Sequence, residues 1–246
     1  MSIITIPKPN PNAKMQLLCL PFAGGGSRFF FNWHKELPNF EICLVSYPGR
    51  EHRMAETAIT DVDILIDVLF EACRKIINKD FVIFGHSMGS IVSYGLTKKL
   101  ELSKIIPHLL LVSSAAAPNR PLKKENMLSL LPDDKFINLL VKRYNAIPEI
   151  ILKDSNLMKL FAPILRNDIS IEEQYISRHG QNTVPLLCNL RAFGGIDDMA
   201  VNKYHLMTWK DLTKGTFAIK MFPGGHFYLN ENSALLFQEI SKECSS

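Results

Sequence analysis

The sequence predicts an α/β protein in which a mostly parallel central sheet is covered by helices on both faces. Short, continuous apolar runs alternate along the chain with longer stretches whose apolar residues recur at helical spacing. Several of the apolar runs end in loops that contain glycine or proline. Strands that are buried on both faces are continuously apolar, whereas a half-solvated antiparallel strand alternates apolar with polar residues. The continuous runs therefore favour a parallel sheet.

The first half of the chain carries three of the predicted strands. Residues 15–20 (MQLLCL) form an apolar run that stops at Pro21 and opens into the glycine-rich sequence FAGGG. Residues 41–50 repeat this form, and residues 57–78 then carry apolar residues at helical spacing, which predicts a crossover helix. A third apolar run occupies residues 81–84, and the sequence IVSYGLTKKL after it predicts another helix.

The second half predicts three more strands and one helical insertion. The strands fall within residues 108–118, 185–195 and 217–225. Residues 121–183 contain helical patterns without a convincing strand, and this segment is too long for an ordinary crossover. We therefore expect residues 121–183 to form a helical lid, inserted into a core of residues 1–120 and 184–246. Such a lid would lie above the carboxyl ends of the strands, where sheets of this kind bind ligands.

Composition narrows the class of protein. A chain of 246 residues, 47% of them hydrophobic, can bury one sizeable core without disulfides or metal ions. The apolar runs are too short to span a membrane, and the N-terminus lacks a secretion signal, so we expect a cytoplasmic protein. The formal charge of +4 comes from scattered lysines and arginines, which does not predict a nucleic-acid partner. The five cysteines are widely spaced without a C-x-x-C pair, as expected of small buried side chains.

The strongest local signal is the pentapeptide Gly85-His86-Ser87-Met88-Gly89. It has the form G-x-S-x-G and lies between a predicted strand and a predicted helix, which is the context of a nucleophile turn. The glycines leave room for the strand and helix to approach, and the turn exposes the Ser87 hydroxyl. The Met88 amide would lie at the helix N-terminus, where its N–H can stabilise an oxyanion.

A serine nucleophile needs a histidine base, which in turn needs a carboxylate to orient it. Among seven histidines, His226 is favoured because it lies in a glycine-rich loop directly after the last predicted strand. In folds with this turn the chain order is serine, acid, histidine. His86 is expected to point away from the nucleophile. The acid comes from the sequence GGIDD, in which Asp198 is favoured over Asp197; the other aspartate would be a helix cap or a solvated charge.

A second oxyanion donor should come from the FAGGG loop. The Ala23 amide is the first choice and the Gly24 amide the next. Taken alone, the three glycines also fit a phosphate-binding loop. However, the loop lacks both the Lys-Ser/Thr pair of a P-loop and the G-x-G-x-x-G order of a dinucleotide site.

Six short motifs follow one another along nearly the whole chain. They are LPFAGGG with Trp33 after it, SYPGRE at 46–51, FGHSMG around Ser87, LRND with EEQY at 165–175, GGIDD with Trp209 after it, and FPGGHFYL at 222–229. In this order they resemble the type II thioesterases that accompany nonribosomal peptide and polyketide synthases, within the α/β-hydrolase superfamily.

The resemblance implies a free-standing enzyme that hydrolyses acyl groups from the phosphopantetheine arm of an acyl- or peptidyl-carrier protein. It implies a catalytic triad of Ser87, Asp198 and His226. The family commonly has a proline after the catalytic aspartate, and Met199 stands there in this chain, so Asp197 remains the alternative acid. The triad supplies the nucleophile, the base and the electrostatics, so we expect no metal ion and no bound cofactor. We also expect a monomer, because core and lid account for the apolar stretches.

Three other functions compete with this hypothesis. A carboxylesterase acting on small oxygen esters would use the same triad. A medium-chain fatty-acyl thioesterase would differ mainly in its preferred chain length. A non-catalytic binding protein would be expected to have lost Ser87 or His226, and both are present. Apolar residues of the lid segment are expected either to line an acyl channel or to pack the lid helices together: Met127, Leu131, Phe136, Leu157, Met158 and Phe161.

Overall fold

A seven-stranded sheet forms the centre of the protein in the computed structural model, which describes residues 2–144, 147 and 149–244. The strands are β1 (Ile4–Thr5), β2 (Met15–Leu20), β3 (Phe40–Val45), β4 (Asp80–His86), β5 (Leu109–Ser113), β6 (Asn189–Gly195) and β7 (Phe217–Phe222). Their order across the sheet is β1-β3-β2-β4-β5-β6-β7. All neighbours pair in parallel except β1 and β3, which are antiparallel. The predicted α/β class with a mostly parallel sheet is confirmed.

Helices connect the strands and cover both faces of the sheet. They are α1 (Trp33–Glu36), α2 (Val62–Ile76), α3 (Met88–Leu102), α4 (Asp133–Tyr144), α5 (Glu149–Lys153), α6 (Ser155–His179), α7 (Lys203–Met207), α8 (Tyr228–Glu231) and α9 (Ser233–Glu243). Short 3₁₀ turns occur at Ser27–Phe30, Glu51–Arg53, Lys124–Asn126, Leu128–Leu130, Gly180–Asn182 and Thr208–Leu212. In the part of the chain that the structure describes, no helix is long and apolar enough to cross a bilayer.

The sheet separates two hydrophobic cores, which explains why its central strands are almost continuously apolar. Successive side chains of a strand point to opposite faces. Along β2, Leu18 and Leu20 pack into the core under α2 and α3, whereas Leu17 and Cys19 pack into the core under α1 and α9. The four side chains are almost completely buried. A polar residue on either face of such a strand would lose its hydration.

Four of the five cysteines are buried, as the sequence predicted. Cys19 and Cys43 lie in strands, Cys73 lies in α2, and Cys188 precedes β6. Burial raises the pKa of the Cys43 and Cys73 thiols to about 12. These thiols are therefore protonated and act as small apolar side chains at neutral pH.

Helices α4, α5 and α6 occupy the chain between β5 and β6. Phe136 and Leu140 of α4 pack against Leu165 and Ile169 of α6 in a small hydrophobic core of their own. Helix α6 begins at an aspartate cap, because Asp154 accepts hydrogen bonds from the first free amides of the helix. We keep the name lid for residues 121–183, and these bounds remain a prediction.

Two elements differ from the sequence-based expectations. Strand β1 was not predicted, because a strand of two residues carries no periodic signal; it pairs antiparallel with β3 through Ile4 and Thr5. The helix expected at 57–78 begins only at Val62, where Asp61 accepts hydrogen bonds from the Asp63 and Ile64 amides. The capping aspartate therefore determines where this helix begins.

Candidate active site

Ser87 lies on the sharp turn between β4 and α3. Its backbone has φ 53° and ψ −121°, a conformation that costs energy for a residue with a side chain. A Cβ atom on Gly85 would lie 2.2 Å from the Gly89 carbonyl oxygen, and one on Gly89 would lie 2.3 Å from the Leu20 carbonyl oxygen. Only glycine fits at both positions, so the pentapeptide is a steric requirement of this turn. Ser87 is only half-buried, and its amide donates to the Ser113 carbonyl at 2.7 Å.

His226 and Asp198 are in direct contact beside this turn. Nδ1 of His226 lies 2.8 Å from Oδ2 of Asp198, and both residues are buried. The other carboxylate oxygen of Asp198 accepts from the Ala200 and Val201 amides at 2.9 and 3.0 Å. Asp197, the alternative acid, is exposed to solvent. Of the two candidate aspartates, the structure brings Asp198 to the histidine.

The environment keeps the Asp198 carboxyl ionised. Burial alone would raise its pKa, but the hydrogen bond and charge of His226 and the two backbone amides outweigh burial, so the pKa of Asp198 is lowered. A carboxylate at Nδ1 selects the tautomer in which Nδ1 carries the proton. Nε2 of His226 is then the nitrogen that can accept a proton.

The candidate oxyanion donors lie in two different segments. Met88 is the first residue of α3, so its amide belongs to the unpaired helix N-terminus. Gly24, the second choice in the glycine-rich loop, donates its amide to Oδ2 of Asp168 at 2.7 Å and is thereby engaged. Neither the Ala23 amide nor the Met88 amide donates a hydrogen bond to any residue that the structure describes. The contact of Gly24 favours Ala23 as the second donor.

A buried ion pair anchors the FAGGG loop, which we call the glycine-rich loop from here on, to the lid. Asp168 of α6 receives two hydrogen bonds from the Arg50 guanidinium, each of 2.5 Å, and Arg50 also donates to the Gly25 carbonyl at 3.0 Å. The exposed side-chain fractions of Arg50 and Asp168 are only 7% and 3%. Because Asp168 also binds the Gly24 amide, three separate segments meet in this cluster. This pair was not predicted from the sequence, because its members lie 118 positions apart.

His86 is a buried neighbour of His226, and no catalytic role was predicted for it. It was expected to point away from the nucleophile, and its side chain is indeed completely buried, but its ring centroid lies 5.3 Å from that of His226. Its Nδ1 is 2.8 Å from the Ser113 hydroxyl, which is 2.8 Å from the Tyr228 hydroxyl. Burial, reinforced by the nearby His226, holds the pKa of His86 well below its ordinary value. His86 is therefore neutral.

Two cavities open beside the candidate triad. We call the first the apolar groove; it has a volume of about 590 Å³ and is lined mainly by Phe22, Ala23, Phe29, Ile151, Phe161, Phe227, His226 and Tyr144. We call the second the polar chamber; it has a volume of about 350 Å³ and is lined by Ser87, Ser114, Arg120, Arg143, Glu172, His205 and Tyr144, among others. Tyr144 lines both cavities. Ser87 lines the polar chamber, and His226 lines the apolar groove.

The lid supplies most of the charged side chains of the polar chamber. Glu172 of α6 accepts a hydrogen bond from Arg120 at 3.3 Å. Burial raises the pKa of Glu172, and the positive charge of Arg120 opposes that shift. Of the lid residues considered for an acyl channel, Phe161 lines the apolar groove, whereas Phe136 is completely buried among the lid helices. Within the described residues, no group of three or more His, Cys, Asp or Glu side chains could hold a metal ion.

Comparisons with known proteins agree with this geometry. A family model described as a thioesterase domain matches residues 15–244. The gramicidin S biosynthesis protein GrsT of Aneurinibacillus migulanus is 36% identical over 236 residues, covering 95% of this chain and 90% of that protein. The medium-chain S-acyl fatty acid synthase thioesterase of Homo sapiens is 32% identical over 227 residues, covering 89% of this chain and 83% of the relative.

A solved structure of a thioesterase is also similar to this chain. The type II thioesterase BorB from the borrelidin biosynthetic cluster superposes with a TM-score of 0.85 at 32% identity. The match covers 98% of this chain and 96% of that one.

Proposed function

The chain belongs to the thioesterase domain family and is a thioester hydrolase, and on that premise we propose that it releases acyl groups from the phosphopantetheine arm of carrier proteins. Its task would be to clear stalled or misprimed acyl groups during nonribosomal peptide or polyketide biosynthesis. Support comes from the biosynthetic relatives: GrsT belongs to gramicidin S biosynthesis, and BorB is a type II thioesterase of a borrelidin cluster. The resemblance drawn from the six motifs is thereby confirmed.

One observation carries the proposed mechanism: the buried 2.8 Å contact between His226 and Asp198, with the His226 ring 5.3 Å from that of His86, the neighbour of Ser87 on the strained turn. In this mechanism Nε2 of His226 takes the Ser87 proton while the Ser87 oxygen attacks the thioester carbonyl. The negative charge on the carbonyl oxygen is stabilised by the Ala23 and Met88 amides. Asp198 orients the imidazole and stabilises the imidazolium that forms.

The same groups complete the cycle, with His226 first donating a proton and then accepting one. The imidazolium of His226 gives its proton to the departing sulfur, which releases the carrier thiol and leaves an acyl group on Ser87. His226 then takes a proton from a water molecule, whose oxygen attacks the acyl carbonyl. Ser87 recovers its proton, and the free carboxylic acid leaves. The cycle consumes one water and needs no cofactor.

Two related activities are the alternatives. The similarity to the human medium-chain enzyme keeps a fatty-acyl thioesterase as the second candidate. A small-ester carboxylesterase would use the same Ser87 and His226. Only a comparison of substrates therefore distinguishes the carrier-protein thioesterase, the fatty-acyl thioesterase and the carboxylesterase. We further propose that the enzyme is a cytoplasmic monomer. A single species near 27.9 kDa in light scattering at working concentration tests the monomer directly, and a species of twice that mass would contradict it.

Substitution of the nucleophile tests the proposed mechanism. Ser87→Ala removes the attacking oxygen and almost no buried volume, so folding should be retained while release of acetate from an acetylated carrier protein falls to background. Ser155→Ala, at an exposed position in the lid, is a matched control that should retain full activity. Substantial Ser87-independent release by a folded Ser87→Ala protein would show that the nucleophile has been assigned wrongly.

A further inference from the structure

Tyr144 lies beside both of the cavities next to the candidate triad. It is the last residue of α4 and lines both the apolar groove and the polar chamber. Its ring centroid lies 4.8 Å from that of His226, with the two rings inclined by 60°. Burial raises the pKa of the Tyr144 phenol to about 12, so the side chain is neutral at working pH. An uncharged aromatic ring shared by the two cavities therefore packs against the candidate base.

The chemistry of thioester cleavage assigns the two halves of the substrate to different cavities. We assign the pantetheine arm to the apolar groove, because the departing sulfur receives its proton from His226, which lines that groove. The acyl carbon becomes bonded to the Ser87 oxygen, which lines the polar chamber. The acyl substituent then points into that chamber, away from the arm. This assignment rests on the proposed function.

The polar chamber favours a short acyl group. Its volume is about 350 Å³, compared with about 590 Å³ for the apolar groove. The ion pair of Arg120 with Glu172 lies in its lining, and a long hydrocarbon chain would have to displace the hydration of these charges. The apolar groove, of whose lining Tyr144 is also a part, offers the phenylalanine side chains that would suit such a chain.

We propose that Tyr144 is a specificity-determining residue: its ring closes the polar chamber toward the apolar groove and thereby limits the length of the acyl group that the enzyme releases. Removing the ring joins the two cavities and gives longer acyl chains access to apolar surface. A larger ring narrows the chamber and restricts the enzyme to the shortest acyl groups.

The test is a chain-length profile measured on the intact enzyme. The substrates are straight-chain acyl groups from acetyl to decanoyl on one phosphopantetheinyl carrier protein, and the readout is the ratio of kcat/KM for octanoyl to that for acetyl. Tyr144→Ala should raise this ratio at least about tenfold, since a single methylene in a specificity pocket is worth that much. Tyr144→Trp should lower the ratio, and Tyr144→Phe, which keeps the ring, should leave it unchanged. Tyr204→Ala removes a tyrosine that is 84% exposed and serves as the matched control.

Each outcome has a distinct meaning. If the octanoyl-to-acetyl ratio rises in Tyr144→Ala and falls in Tyr144→Trp, the role of the ring is established, even where one variant has reduced overall activity. Identical ratios in all Tyr144 variants, with acetyl release intact, would overturn this inference and leave the proposed function in place. A wild-type enzyme that releases no acyl group of any length would overturn the proposed function as well.

Discussion

Removing the Asp168 carboxylate should destabilise the protein strongly. Asp168→Ala removes the carboxylate that pairs with the Arg50 guanidinium, and the two side chains are only 7% and 3% exposed. The same substitution takes away the acceptor of the Gly24 amide, so the lid and the glycine-rich loop lose their common anchor. Of its hydrogen bonds to described residues, Arg50 would keep the one to the Gly25 carbonyl, and its guanidinium would still lie over the Tyr47 ring.

Burial of the Arg50–Asp168 pair determines how much stability Asp168→Ala loses. Breaking a buried ion pair by removing one partner costs about 3–5 kcal/mol, because an uncompensated charge stays in a medium of low dielectric constant. For a domain of this length, that loss lowers Tm by roughly 6–20 °C. Replacing both partners with apolar residues, as in Arg50→Met with Asp168→Leu, should recover part of the loss because no unpaired charge remains.

Urea unfolding followed by circular dichroism measures the free energy directly. The control is Asp133→Ala, which also removes a carboxylate bonded to an arginine, Arg166, at 2.7 Å. Asp133 is 90% exposed, so water replaces the lost partner and stability should change little. If Asp168→Ala and Asp133→Ala lowered the free energy of unfolding equally, burial of the Arg50 pair would not matter and the reasoning would be refuted.

Two further predictions concern the acid and the buried histidine. Asp198→Asn should lower kcat about 10³- to 10⁴-fold, because the amide no longer stabilises the imidazolium of His226, whereas Asp197→Asn should leave kcat nearly unchanged. A larger loss from the Asp197 change would reverse the assignment of the acid. The second prediction rests on the lowered pKa of His86. Because the unfolded chain binds a proton at His86 below about pH 6.5 and the folded protein does not, this residue should lower stability on acidification by up to about 1.4 kcal/mol per pH unit. Urea unfolding of the wild type and His86→Gln between pH 7.5 and 5.5 should show a smaller slope in the variant, and equal slopes would contradict a neutral His86.

Much of the fold could be predicted because the central strands β2, β3, β4 and β5 are buried on both faces. The apolar run at β2 and the helical spacing of α2 are direct consequences of that burial, and the predicted strands appear in the predicted order. Short or locally determined features escaped prediction. Strand β1 has two residues and owes its position to its pairing with β3, which lies far along the chain.

The candidate site was predictable where steric rules act on neighbouring residues. The Ser87 turn needs glycine at fixed positions, and the loop after the last strand identifies His226. The sequence favoured Asp198 but kept Asp197 as the alternative, because adjacent residues share the same strand-end context. Only the folded loop shows that Asp198 contacts the histidine.

Arg50 and Asp168 lie in two of the six motifs, but nothing local to either motif indicates that their side chains form a pair. The Arg50 pair with Asp168 forms only after the lid folds over the glycine-rich loop. His86 meets His226 because the loop after β7 returns to the end of β4. Such contacts depend on the tertiary structure and lie beyond what periodicity or motif spacing can indicate.

The most direct test of the proposed function compares two substrates that carry the same acyl group. The kcat/KM for release of acetate from an acetyl-phosphopantetheinyl carrier protein is measured beside that for p-nitrophenyl acetate, with Ser87→Ala as the blank. A carrier-editing thioesterase predicts a clear preference for the acetylated carrier that disappears entirely in Ser87→Ala. Efficient cleavage of p-nitrophenyl acetate with an untouched carrier would contradict the editing role and identify a small-ester hydrolase built on the same triad.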